Sequence, residues 1–333
     1  MKRVMMYIFV LFFLAQNAIA QSGYKLTKTF HIASTGGWDY ITVDPTSNKL
    51  YVSHGTQVNV LDKTTGDSLG VISNTTGVHG IALVNNINKG YTSNGRLNNV
   101  SVFDLKTNAV LKQIPTGENP DAIFYEPVSK KIITCNGRSK DLTIIDVASE
   151  QVVATIAVGG KPETAVSDEA GKVFVNIEDK NQILAIDIKK NETSHWALNA
   201  ESPTGLAIDV ASKRLFAGCE KTLVVMDATN GKVVTTIPIG EGCDGVAFDS
   251  KSKLIFTSNG SGTMSVIKEV SKNKFELVEN VVSKKGARTI CEDESTGAVY
   301  MPTAEFEPQA PGEKGRPKMI PGSFQIIVFQ KSK

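Results

Sequence analysis

The sequence predicts an all-β protein, a seven-bladed β-propeller with four antiparallel strands per blade, and three observations predict it. A unit of about forty residues recurs seven times; each unit divides into four short β-rich runs separated by turn residues; no helical periodicity interrupts them. One such unit cannot bury both its faces alone, so the pattern implies a ring in which each blade covers its neighbours.

The second run of each unit sets the register. It reads Lys49–Gly55, Gly90–Gly95, Ile132–Gly137, Val173–Asn176, Leu215–Cys219, Ile255–Gly260 and Val299–Thr303, and its anchors Tyr51, Tyr91, Ile133, Phe174, Phe216, Phe256 and Tyr300 step by 40 to 44 residues. In the sixth unit the four runs are Gly245–Asp249, Leu254–Ser258, Met264–Lys268 and Phe275–Val282. The seventh supplies only three strands, the last being Phe324–Phe329. Lys28–Ile32, ahead of the first unit, resembles the fourth strands of other units, so the N-terminal strand is expected to complete the last blade and remove the open edges. Residues 21–333 then form a single propeller domain, with an insertion loop over residues 305–322 of the last blade.

The first twenty residues read as a secretory signal peptide. Lys2 and Arg3 precede an apolar run from Val4 to Ala15, and Ala18-Ile19-Ala20 is an A-x-A cleavage site. The run is too short for a membrane span. An exported protein is expected, periplasmic or secreted after cleavage near Ala20, with no membrane span and monomeric.

Composition narrows the function. With 41% hydrophobic and 21% charged residues the chain is globular rather than disordered. Thirty-six basic residues stand against 34 acidic ones, and removing Lys2 and Arg3 brings the two to parity, which argues against a nucleic acid partner held on a broad basic face. Aromatic residues make up 7% and there are 4 His, too few for a base-stacking platform or a His-rich metal cage.

The Tyr51-Val52-Ser53-His54 and Tyr91-Thr92-Ser93-Asn94 runs, with the Val58–Asp62 and Val100–Asp104 strands, resemble the YVTN-repeat, YncE-like seven-bladed propellers over essentially the whole mature chain. The resemblance implies the fold; it says little of function, since such propellers serve several. Relatives that bind haem d1 or partner c-type cytochromes suggest, as the weakest reading, a tetrapyrrole or redox accessory protein. With no C-x-x-C-H, a covalent c-type haem is not expected.

Candidate site residues follow from propeller geometry. Aligning the inner strands on their terminal acids Asp44, Glu126, Asp168, Asp209, Asp249 and Asp293 puts one residue per blade at the channel entrance: Asp39, His79, Asp121, Glu163, Thr204, Asp244 and Arg288. The ends of the second strands suggest a second ring: His54, Asn94, Asn136, Ile177, Cys219, Asn259 and Thr303. Several carboxylates facing one channel raise one another's pKa unless a cation compensates. Arg288 can serve Asp244 and Asp39; the Asp121 and Glu163 side shows no counter-charge. The expected metal ligands are therefore Asp121, Glu163, His79 and Asn136, for Ca²⁺ or Mg²⁺ through oxygen or a transition metal if both His79 and His54 take part; His54 and His79, which could approach across one blade boundary, also form a plausible metal constellation with Asp39 and Asp121. His79 or His54 is the candidate base. Glu305 could add a carboxylate, and the insertion could form a lid carrying Lys314, Arg316 and Lys318. Cys219 and Cys243, in adjacent blades on the ring face, are a candidate disulfide pair. Asp62, Asp104, Asp146, Asp187 and Asp227, at third-strand ends, are expected to hold turns.

Two functions compete. The first is a binding or scaffold module capturing a small molecule or protein partner at the acidic channel face, favoured because no catalytic elbow, zinc helix, phosphate loop or dinucleotide fingerprint occurs. The alternative is a metal-assisted hydrolase or lyase of the kind found in gluconolactonase-like and streptogramin-lyase-like propellers, in which a bound cation polarises a substrate oxygen.

Overall fold

The structure, a computed structural model, describes residues 22–190, 192–308 and 317–332, so the signal peptide and cleavage site expected from the sequence, Lys314 and Arg316 lie outside the described residues. Seven four-stranded antiparallel sheets form the seven blades expected. Blade 1 runs through Trp38–Val43, Lys49–His54, Gln57–Asp62 and Ser68–Ile72, and blades 2 to 6 repeat the order. Blade 7 takes Cys291–Asp293, Ala298–Thr303 and Gln325–Lys331, and its outer strand is the N-terminal Tyr24–His31. The latter pairs in register from Tyr24↔Lys331 to His31↔Gln325. Each inner strand touches the next, and blade 7 touches blade 1, so the ring closes.

The core lies between blades. The anchors of the repeat, Tyr51, Tyr91, Ile133, Phe174, Phe216 and Phe256, are fully buried, and Tyr300 is nearly so. Each contributes on the order of 2–3 kcal/mol by leaving water. The outermost strands are solvated, as in Gln151–Ala157.

Polar residues of the repeat tie the strands together. Asn136 Nδ2 donates to Asp141 Oδ1 at 2.6 Å and Thr143 Oγ1 at 2.8 Å, while its Oδ1 accepts from Thr134. Asn94 and Asn259 repeat this network with Thr92 and Ser101, and with Thr257 and Ser265. The acids used to align the inner strands cap their own turns: Asp209 Oδ1 accepts from the amides of Ala211 and Ser212, and its Oδ2 pairs with Lys253 of the next blade at 2.7 Å. The third-strand aspartates hold turns as expected, Asp62 accepting from the amides of Thr64 and Thr65 and Asp104 from those of Lys106 and Thr107.

Removing residues 22–32 takes away the outer strand of blade 7 and buried Tyr24, Phe30 and Ile32. The truncated protein is expected to melt roughly 10 °C lower or more in a calorimetric scan. Asp209 gives a second test. Burial alone would raise its carboxyl, but the Lys253 ion pair and the Ser212 hydrogen bonds outweigh it and hold it below the usual 3.8. A depressed carboxyl adds stability above its unfolded value and loses it as pH falls through the folded one. Asp209→Asn is expected to cost about 2 kcal/mol at pH 7, and its melting temperature should converge on that of the parent protein as pH drops below 3.8.

Candidate functional site

The residues expected to ring the channel hold equivalent places in the blades, and in five of them a backbone irregularity lies beside the residue. Asp39, His79, Asp121, Glu163 and Asp244 are each the second residue of an inner strand, and in each of these strands the register slips just after the first residue, between Trp38/Ile41, Val78/Ile81, Pro120/Ile123, Pro162/Ala165 and Cys243/Gly245. A bulge leaves a residue unpaired and re-aims its side chain. Thr204 and Arg288 precede the shorter inner strands Leu206–Asp209 and Cys291–Asp293. All seven ring residues are partly exposed.

The second ring is not presented to the channel. His54, Asn94, Asn136, Ile177, Cys219, Asn259 and Thr303 are all 0% exposed. The reason is strand pairing. His54 lies opposite Trp38, Asn94 opposite Val78, Asn136 opposite Pro120, Ile177 opposite Pro162 and Asn259 opposite Cys243. Cross-strand partners share a face, so these residues join the buried first residue of the inner strand rather than the ring residue after it. His54 stacks on Phe324 with ring centroids 4.0 Å apart, bonds Ser34 Oγ through Nδ1 and donates from Nε2 to the Gly36 carbonyl at 2.9 Å. Burial lowers its basicity. It is a core histidine, away from the mouth of the channel.

Within the ring the contacts fall into three groups. His79 Nδ1 donates to Asp39 Oδ2 at 2.6 Å and stands 3.8 Å from Asp121 Oδ1. Arg288 reaches Asp244 at 3.4 Å and donates to the Trp38 carbonyl at 2.8 Å. Glu163 pairs at 2.5 Å with Lys161, which also bridges to Glu178 at 2.5 Å. Lys161 is the counter-charge that the ring alignment missed; a lysine two residues before a ring carboxylate is its only sequence signal. Of the constellation expected across blades 1 to 3, His54 is held in the core. Among the described residues the donors that converge are Asp39, His79 and Asp121, within 4.8 Å of one another. Glu163 is drawn toward Lys161, and Asn136 is spent inside its blade.

Burial and the charge of Asp39 push the Asp121 carboxyl up, with His79 and Lys161 pulling the other way. Glu163 is likewise raised by burial and by Asp121, against Lys161. For His79, burial disfavours the cation, but the Asp39 hydrogen bond and the charges of Asp121 and Asp39 prevail and make the imidazole more basic.

A second residue missed in the sequence lies beneath the ring. Tyr40 of blade 1 crosses the channel, its hydroxyl 3.3 Å from Thr164 Oγ1 of blade 4, and its ring packs against the cluster that holds Ala122 and Ala165. Burial, with Asp121, Glu163 and Asp39 nearby, pushes its hydroxyl pKa well above the usual value. This contact links blades 1 and 4 beneath the ring.

Beside the ring is a cavity of about 540 Å³, lined by Thr204, Asp244 and Arg288 and walled by Trp38, Phe306 and Met319. Phe306 and Met319 come from the insertion, which does open on the ring face; they pair through a short bridge, and Phe306 sits 6.1 Å from Trp38. Gly286 permits this approach, because its φ is +74° and a Cβ there would lie 2.6 Å from the Phe306 ring. Of the charged residues expected on a lid, Lys318 is the one described, and it pairs with Glu307 at 2.9 Å; Glu305 is held by Lys284 and Gln325. Cys219 and Cys243 are free thiols. They pack in two different apolar clusters, each S–H turned to a carbonyl of its own chain segment, Ala217 and Gly245, which corrects the disulfide expectation.

Residues 49–170 match the family model described as YNCE-like beta-propeller, in line with the resemblance read from the repeats. Three solved propellers are similar in fold. Hydrazine synthase of Kuenenia stuttgartiensis aligns at 16% identity with a TM-score of 0.70, covering 81% of this chain and 94% of that one. The WD40 repeats of RRP9 give 10% identity and 0.78, covering 94% and 99%, and U3-55K gives 10% and 0.76, covering 92% and 99%. At such identities the likeness is one of fold. No curated protein matches the sequence. Among the described residues no helix is long and apolar enough to cross a membrane.

Asn136→Ala separates scaffold from site. It strips a buried network of its centre and is expected to cost about 3 kcal/mol in denaturant unfolding, while ligand titrations at the channel mouth remain unchanged.

Proposed function

We propose that the protein is an exported binding propeller that captures a small molecule with an apolar body and a polar head at the channel mouth. One observation carries this reading: the cavity of about 540 Å³ joins an apolar wall, Trp38, Phe306 and Met319, to the charged pair Arg288 and Asp244 on the ring. Cavities of this size, mostly apolar with a few placed polar groups, suit small ligands. The guanidinium is partly tied to Asp244 and to the Trp38 carbonyl, so a head with both a donor and an acceptor could engage the pair without breaking it. The apolar body would lie against the two aromatic rings.

L-Phenylalanine, L-tryptophan and L-leucyl-L-leucine combine an ammonium, a carboxylate and an apolar body, and serve as probes in calorimetric titration. At least one is expected to bind, with Arg288→Ala weakening it at least tenfold, the worth of about one charge-assisted hydrogen bond. Phe306→Ala should weaken the same probe through lost apolar contact. Absence of heat with all three probes would overturn this ligand class.

A further inference from the structure

We propose that Asp39, His79 and Asp121 form a site for one divalent transition-metal ion at the channel mouth. The three side chains come from equivalent bulges in blades 1, 2 and 3, so the sheets fix where they start. Two serines of the repeat then pin them. Ser53 Oγ accepts the Asp39 amide at 3.0 Å and donates to the Tyr40 carbonyl, and Ser93 Oγ accepts the Gly80 amide at 2.8 Å and donates to the Asp121 carbonyl across the blade boundary. Thr289 adds a hydrogen bond to the Asp39 carbonyl at 2.6 Å.

The donor geometry suits an ion. Bonds of about 2.1 Å around a four-coordinate metal put neighbouring donors roughly 3.4 Å apart. The imidazole-to-carboxylate distances of 2.6 and 3.8 Å bracket that value, and all three donors lie within 4.8 Å of one another. Charge points the same way. Two carboxylates share one imidazole, and among the described residues no hydrogen-bond donor reaches the Asp121 side chain, whose closest positive group is His79 at 3.8 Å. A divalent cation would supply what that carboxylate lacks.

The donor set also selects the class of metal. One imidazole nitrogen and two carboxylate oxygens suit zinc, manganese or iron(II), whereas calcium calls for six to eight oxygens. Three protein donors leave positions open for water or a ligand. Among the described residues the other converging group, Asp249, Glu292 and Glu294, has no nitrogen donor; it belongs to the far ends of the inner strands and provides a control.

The test uses the chelator-stripped protein and Zn²⁺ alone in calorimetric titration, with Co²⁺ followed by visible absorption. One equivalent of Zn²⁺ is expected to bind, with affinity falling at least about tenfold in Asp121→Asn and in His79→Gln, both of which should also lose the Co²⁺ bands. Glu292→Gln should change neither. No uptake of Zn²⁺, uptake that survives His79→Gln, or uptake that falls with Glu292→Gln overturns the site. Should a ring variant fail to fold, the parent protein still decides. Zn²⁺ should shield His79 from diethyl pyrocarbonate while leaving the exposed His31 and His195 reactive, and an unshielded His79 counts against the proposal. The readouts involve metal without organic ligand, so they stand or fall separately from the pocket described above.

Discussion

Closure of the ring by the pairing of Tyr24–His31 with Gln325–Lys331 is the constraint on which the rest depends. Each blade is stable only against its neighbours, so an unclosed array would leave two apolar blade faces in water. The pairing joins the two ends of the chain through backbone hydrogen bonds that no local segment could supply.

Given that frame, the ring manages a problem that its own symmetry creates. Repeating one strand seven times brings seven equivalent positions to one axis, and a like-charged residue at each would be intolerable. The chain varies those positions instead. Asp244 faces Arg288, Glu163 faces Lys161 from its own blade, and Asp39 takes the hydrogen of His79. Asp121 is left with the least compensation, which is why the electrostatics of the mouth concentrate at blades 1 to 3.

The fold was legible in the sequence because a propeller writes itself as a repeat: the buried anchors from Tyr51 to Tyr300 fall at a steady interval, and the last blade visibly lacks one strand. The ring positions were legible too, since aligning strands fixes where a residue sits along the axis. Direction was not. Side chains alternate faces at every residue and a bulge changes the phase, so His54 and Asn136, aligned at the same height as the ring, face the packed interior instead. Lys161 and Tyr40 escaped for another reason. Tyr40 reaches Thr164 from three blades away, a contact that no pattern within one repeat encodes, and Lys161 meets Glu163 within its own blade but holds none of the positions that the ring alignment compared. The thiols of Cys219 and Cys243 share that limit, because neighbouring blades do not imply facing side chains.

The Tyr40 contact narrows the channel beneath the ring, and at the mouth Phe306 and Met319 of the insertion flank one side. Phe306 and Met319 are wall and rim at once, so a change in the insertion alters what the cavity can accept together with how open its mouth is.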